Sequence, residues 1–129
     1  MSAVTRAHFI LYVKDQEASR AFFENVLALT PTLHVPGMTE FTVSPTTVIG
    51  LMPGRNFERL LSLAEGSVAA TGLRGELYLI VADPAEYHRR ALAAGARELS
   101  PLVQRNWGDL AAYCVEPNGY VLAFACPVS

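Results

Sequence analysis

The sequence predicts an α+β fold built of two βαβββ modules whose strands form a curved mixed sheet lining a cup. Three observations predict it. The chain is written twice: AHFILYVKD near the start returns as GELYLIVAD, Gly75 to Asp83, and each is an apolar-rich run ending on an aspartate. Each run leads into a stretch of helical periodicity, and each helix pattern is followed by three short strand patterns broken by turn residues. Short, mostly antiparallel strands suit two curved sheets side by side better than a doubly wound parallel sheet. The expected organisation is a single domain over 1–129, with modules at about 5–53 and 75–126 joined by a connection at 53–74.

Each element has its own local reason. After Asp15 comes QEASRAFFENVLAL, where Ala18, Phe22, Val26 and Leu29 fall at near-helical spacing and predict one apolar stripe. After Asp83 comes PAEYHRRALAAG. Here Asp83 is a good N-cap, Pro84 suits the first helical position, Glu86 completes a capping-box-like spacing and Gly95 stops the helix. In the first half TLHV, EFTVS and TVIGLM read as strands, parted by Pro36-Gly37 and Ser44-Pro45. In the second half ARELS, DLAAYCV and GYVLAF do the same, parted by Ser100-Pro101 and Pro117-Asn118-Gly119. In the connection, NFERLLSLA predicts a short helix. His88, beside Arg89 and Arg90, is expected on the solvent side.

Composition narrows the function classes. Of 129 residues 51% are hydrophobic and 17% charged, so the chain can bury a core and is not disordered by composition. Net charge is −2, Lys14 is the only lysine, and the nine arginines are scattered. Nucleic acid is not an expected partner, because phosphate binding needs clustered Lys and Arg. The opening MSAVTRAHFILYVKD lacks the longer apolar core and cleavage site of a secretory signal. No apolar run approaches the roughly 18 residues of a membrane span, so a cytoplasmic protein is expected. With the Pro-Asn-Gly turn centred near 117 or 118, Cys114 stands opposite about Val121 and Cys126 opposite about Asp109. Two free, buried thiols are therefore expected rather than a disulfide.

Five stretches together resemble the vicinal oxygen chelate superfamily, the glyoxalase/bleomycin-resistance/dioxygenase group, and closest to its bleomycin-resistance-like, metal-free branch. They are AHFILYVKD, ASRAFFENVLAL, AEYHRRALAAGA, the pair Trp107-Gly108, and EPNGYVLAF. Departures from the group's pattern are Ala28, where the first helix usually ends in Gly, and Glu116, Asn118 and Tyr120 for the usual Asp, Asp and Asn. In metal-using members, four strand positions facing a shared cup supply His and Glu ligands. Carried over residue by residue, those positions are His8, Gly50, Glu76 and Ala123. Gly50 and Ala123 have no donor atoms, and two ligands hold an ion weakly where a catalytic metal needs about three. His34 and Glu40 fall on neighbouring strands but match no ligand position. No cofactor is expected, a divalent metal being the alternative.

Strand alternation then assigns the faces. Phe9, Leu11 and Val13 are expected under the first helix, with His8, Ile10 and Tyr12 in the cup. Leu77, Leu79 and Val81 go under the second, with Glu76, Tyr78 and Ile80 in the cup. The closing strands add Val48, Gly50 and Met52 from one half, and Val121, Ala123 and Ala125 from the other. Small residues at Gly50 and Ala123 are expected to leave room. Trp107, alone of its kind in the polar stretch QRNWGD, is the candidate stacking surface. The expected ligand-binding residues are His8, Tyr12, Met52, Glu76, Tyr78, Trp107 and Val121. His8 and Glu76 are the weak catalytic candidates, and their alternative role is a structural hydrogen bond between the halves.

The leading functional expectation is metal-independent binding of a small, flat or aromatic molecule, resembling bleomycin-resistance-type sequestration proteins. The resemblance also implies a homodimer. One alternative is a metal-dependent lyase, isomerase or dioxygenase. A third is a partner-binding protein with a filled cup, acting through the connection, where Phe57, Leu60, Leu61 and Leu63 form a lid or docking surface. The residues lean towards binding over catalysis without deciding between them.

Overall fold

The computed structural model describes residues 4–68 and 72–128. The first unit opens with β1 (Ala7–Val13) and α1 (Gln16–Leu27), then β2 (Leu33–Val35), β3 (Met38–Ser44), β4 (Thr47–Pro53) and a short α2 (Gly54–Leu60). The second holds β5 (Gly75–Ile80), α3 (Pro84–Ala93), β6 (Arg97–Gln104), β7 (Asp109–Val115) and β8 (Tyr120–Pro127). The two are compact units, the last turn of α1, Asn25–Leu27, grouping with the second. Each unit is βαβββ. Their sheets have equivalent orders, β1-β4-β3-β2 and β5-β8-β7-β6, with the opening strand parallel to the closing one and the rest antiparallel.

In the first unit, register and alternation put Leu11, Leu51, Thr39, Phe41 and Ile49 on one face, all buried. Helix α1 meets that face: the Phe23 and Phe41 rings lie 6.5 Å apart, and Gln16 Nε2 donates to the Thr39 hydroxyl at 2.9 Å. Asp15 caps α1 by accepting from the Ala18 amide. The stripe that α1 buries is Ser19, Phe22, Phe23, Val26 and Leu27. The expected stripe therefore shifts by one residue at its ends: Ala18 is exposed, and Leu29 lies past the helix. Ala28 ends α1 in the left-handed region, φ 55° and ψ 43°, a conformation that glycine adopts more readily than alanine. Phe9, expected under the helix, is half exposed.

In the second unit α3 begins as its sequence requires, with Asp83 accepting from the Glu86 amide and Pro84 in the first turn. Its buried face is Pro84, His88 and Ala91, spaced i, i+4, i+7, so His88 falls on the apolar stripe and not on the solvent side. His88 Nε2 lies 2.8 Å from Glu98 Oε2 on β6. Strand β6 runs through Ser100-Pro101, where a turn was expected. It is the edge strand, and its register with β7 shifts on both sides of Ser100, so a proline without an amide costs no ladder bond.

The connection is partly built from Glu58. Its buried carboxylate accepts from the amides of Gly66 and Val68, folding the chain after α2 back on itself. Residues 69–71 of the expected connection, and 1–3 of the N-terminal stretch, lie outside the described residues. Cys114 pairs with Leu122 and Cys126 with Leu110, so neither cysteine faces the other and both are free; Cys114 is buried as expected, whereas Cys126 is only partly covered. Among the described residues no helix is long and apolar enough to cross a membrane.

Candidate functional site

The second unit's sheet has one face under α3 and one that carries most of the sequence-predicted site. Register sets the latter in rows. Glu76 stands beside Val121, then Val115 and Arg97. Tyr78 stands beside Ala123, then Tyr113 and Ser100. Ile80 stands beside Ala125, then Ala111 and Val103. Ala123 is thus flanked directly by two tyrosines, whose Cα atoms are two strand spacings, about 10 Å, apart. Its side chain is 0% exposed, so the floor between the rings is closed and leaves no open room.

Trp107 joins this face from the turn between β6 and β7. Arg105 N donates to Asp109 O at 2.7 Å to close the turn, and Gly108 sits at φ +96°, a conformation that explains the glycine after the tryptophan. The indole is 57% exposed yet fixed: Trp107 Nε1 donates to the Tyr78 hydroxyl at 2.9 Å. Tyr78 in turn donates to Asp109 Oδ2 at 2.6 Å. Burial, then the hydrogen bond to Asp109, pushes the Tyr78 phenol above its ordinary pKa, with the Trp107 bond opposing. Tyr113 is pushed up by burial and then by the charge of Glu76. Arg105 lies over the Tyr113 ring, 5.1 Å from its centroid, while Nη2 donates to Ala111 O at 2.9 Å and to Ser100 Oγ at 2.6 Å. The guanidinium so bridges the irregular part of β6 to β7 and backs the Tyr113 ring.

In the first unit the equivalent face holds His8, Ile10 and Tyr12 beside Val48, Gly50 and Met52, then Thr42, Glu40 and Met38. Glu40 stands next to Gly50, diagonal to His8, and its Oε2 lies 3.7 Å from His8 Nδ1. Glu40, set aside by the sequence reading, is therefore a carboxylate partner of His8 within its own unit. The room expected at Gly50 is taken. A Cβ there would stand 2.5 Å from Ile10 Cδ1 and 3.3 Å from Met38 Sδ. Tyr12 packs on Phe57 of α2 with ring centroids 4.5 Å apart, while Leu60, Leu61 and Leu63 of the expected lid are exposed.

Among the described residues no three of His, Cys, Asp and Glu converge as a metal site. With apolar side chains filling the place of Gly50 and a closed floor at Ala123, the donor set does not fit a metal held as in the metal-using relatives. Two hollows, of about 210 and about 250 Å³, lie elsewhere. The first is lined by Gln16, Glu17, His34, Val35 and Pro36, the second by Asn25, Arg89, Arg90, Ala93 and Ala94. Neither includes a sequence-predicted site residue. The functional candidates that sequence reasoning missed are Asp109, Tyr113 and Arg105, while Glu40 is one it named without matching it to a ligand position.

Repeated βαβββ units with a parallel opening-to-closing strand pair define a class of paired-module proteins. The chain belongs to the Glyoxalase/Bleomycin resistance protein/Dioxygenase superfamily, whose model matches residues 5–124. Similar solved structures include a glyoxalase-related enzyme from Fulvimarina pelagi, with 23% identity and TM-score 0.80, covering 93% of this chain and 86% of that one. A glyoxalase/bleomycin resistance protein/dioxygenase family enzyme from Burkholderia phytofirmans PsJN matches at 18% identity and TM-score 0.80, covering 94% and 97%. A protein of unknown function from Agrobacterium tumefaciens str. C58 matches at 22% and 0.75, covering 99% and 95%. At these identities the likeness carries the fold. No curated protein matches the chain.

Proposed function

We propose that the chain binds a small, flat aromatic molecule without a metal, on the face formed by β5, β8 and β7, as a sequestering protein of the bleomycin-resistance type. The observation that carries this reading is Trp107. An exposed indole adds little to a core, and holding it by a Trp107–Tyr78–Asp109 chain costs side-chain freedom. A stacking partner on the open indole and on Tyr113 would offset that cost. Donor-poor positions at Gly50 and Ala123 support binding over metal-assisted catalysis.

Two free cysteines are in keeping with a reducing, cytoplasmic setting. Exposed apolar residues on the edge strands, Leu33 and Val35 on β2 with Leu99 and Val103 on β6, are in keeping with a homodimer.

Trp107 is the only tryptophan, so its fluorescence reports the site directly. Titration with planar aromatics such as 1-methylnaphthalene, N-methylquinolinium and 1-naphthoate should quench or shift its emission saturably. Trp107→Phe, followed by calorimetry, should weaken binding by roughly 1 kcal/mol. Absence of saturable binding by all three compounds would remove the reading, and unchanged affinity in Trp107→Phe would remove Trp107 from the site.

A further inference from the structure

We propose that this face selects organic cations: an aromatic plane carrying a quaternary or protonated nitrogen, held against Tyr78, Tyr113 and Trp107 and facing Asp109 and Glu76. The inference rests on the binding reading above and adds the charge of the ligand. It follows from an inventory of the polar atoms.

The donors on the face are largely committed. Trp107 Nε1 has one hydrogen, given to Tyr78. The Tyr78 hydroxyl hydrogen is given to Asp109, leaving Tyr78 one lone pair. Arg105 gives Nε and Nη2 to the Ala111 and Pro101 carbonyls and the Ser100 hydroxyl, which leaves it Nη1. The Tyr113 hydroxyl can give or take a hydrogen bond.

The acceptors, in contrast, are open. Asp109 Oδ2 accepts from Tyr78, but among the described residues nothing donates to Asp109 Oδ1. Nothing among them donates to either oxygen of Glu76, which is exposed at the edge of the Tyr78–Ala123–Tyr113 row. Charge follows the same pattern. Glu76 and Asp109 give two negative charges around the tyrosines, and Arg105 gives one positive charge. Arg97, the other arginine on this face among the described residues, stands on the edge strand three strand spacings from Glu76, and the charges that act on the Tyr113 phenol are those of Glu76, Arg105 and Asp109. Arg74 lies over Tyr120, whose side chain alternates to the opposite face. Open carboxylate oxygens beside the indole and the two tyrosine rings, of which Tyr113 already carries Arg105 on one face, attract a cation both by charge and by the ring quadrupoles. An anion would meet two carboxylates and few open donors.

The test compares three bicyclic probes of similar shape by Trp107 fluorescence: N-methylquinolinium, 1-methylnaphthalene and 1-naphthoate. The cation is expected to bind roughly fivefold or more tighter than the neutral compound, with the anion weakest, and the advantage should shrink between low and high salt. Glu76→Gln, an exposed and nearly isosteric change, should weaken N-methylquinolinium by about threefold and the neutral compound less. Equal binding of cation and neutral compound, or an equal response of both to Glu76→Gln, overturns charge selection while leaving aromatic binding standing. Failure of all three probes overturns both readings. Tighter binding of 1-naphthoate would show that Arg105 and Tyr113, not the carboxylates, dominate the face.

Discussion

Removing one oxygen tests whether the Trp107–Tyr78–Asp109 chain holds the face together. In Tyr78→Phe the ring stays and two hydrogen bonds go, at 2.9 Å from Trp107 and 2.6 Å to Asp109. The Trp107 side is cheap, because an indole 57% exposed can turn its N–H to water. The Asp109 side costs more, since a half-buried carboxylate loses a charge-assisted donor worth about 1.5–3 kcal/mol. Water can reach Asp109, so the lower end applies, giving a loss of about 1.5 kcal/mol and a Tm lower by roughly 5 °C for a chain of this size. Urea unfolding followed by far-UV circular dichroism gives the stability, and the emission maximum of Trp107 should move to the red as the indole is released. A double-mutant cycle with Asp109→Ala should show a coupling of about 1 kcal/mol. Stability within about 0.3 kcal/mol of the parent, together with an unmoved emission maximum, would refute the claim that this chain orders the face.

Two other outcomes test separate parts of the molecule. Gly50→Ala should destabilise by about 1–3 kcal/mol in urea unfolding, because the new Cβ stands 2.5 Å from Ile10 Cδ1, and Ile10→Val, which deletes that atom, should recover most of the loss. Glu86 is held down at a pKa of about 2, chiefly by its hydrogen bond from Arg89 and by the Arg89 and Arg90 charges. Its folded value lies below the ordinary 4.5, so its contribution is present above pH 4.5 and lost as pH falls through about 2. Glu86→Gln should flatten stability against pH across that window, and an unchanged slope would contradict the assignment.

The fold was legible because local signals agreed at every level. Asp83, Pro84 and Gly95 mark α3 at both ends, and the doubled strand-to-helix pattern sets the two modules. The site was legible only in part, and register explains why. Reading Cys114 opposite about Val121 places Tyr113 opposite Leu122, on the helix side. The structure pairs Cys114 with Leu122 and Tyr113 with Ala123. A slip of one residue turns every side chain of β7 to the other face, so it hid both Tyr113 and Asp109. The turn is the cause. Glu116 is buried and accepts from the amides of Asn118 and Tyr120 and from the Asn118 side chain. It thereby centres the turn on Asn118, closed by Glu116 and Tyr120, half a residue beyond the centre that pairing Cys114 with Val121 assumes. His88 was misplaced for a different reason. Its neighbours Arg89 and Arg90 read as a solvent face, whereas helical spacing from Pro84 to Ala91 put it inside.

Gly50 and Ala123 occupy equivalent strand positions and lack donor atoms alike, yet the surrounding residues use them in opposite ways. At Gly50 the missing side chain lets Ile10 and Met38 close over the strand, and it brings Glu40 within reach of His8 on a face whose centre is aliphatic. At Ala123 the neighbours on both sides are tyrosines, and the next turn contributes Trp107, so the same economy of side chain yields an aromatic platform with carboxylates beside it. A glutamate at Ala123 would have to displace one tyrosine ring or stand as a charge buried between two. The small residue is therefore required by the platform itself, independently of whether a metal-binding relative carries a carboxylate there. Duplicated modules share a backbone, but one row of side chains across three strands, Tyr78, Ala123 and Tyr113, sets the aromatic face in the second unit.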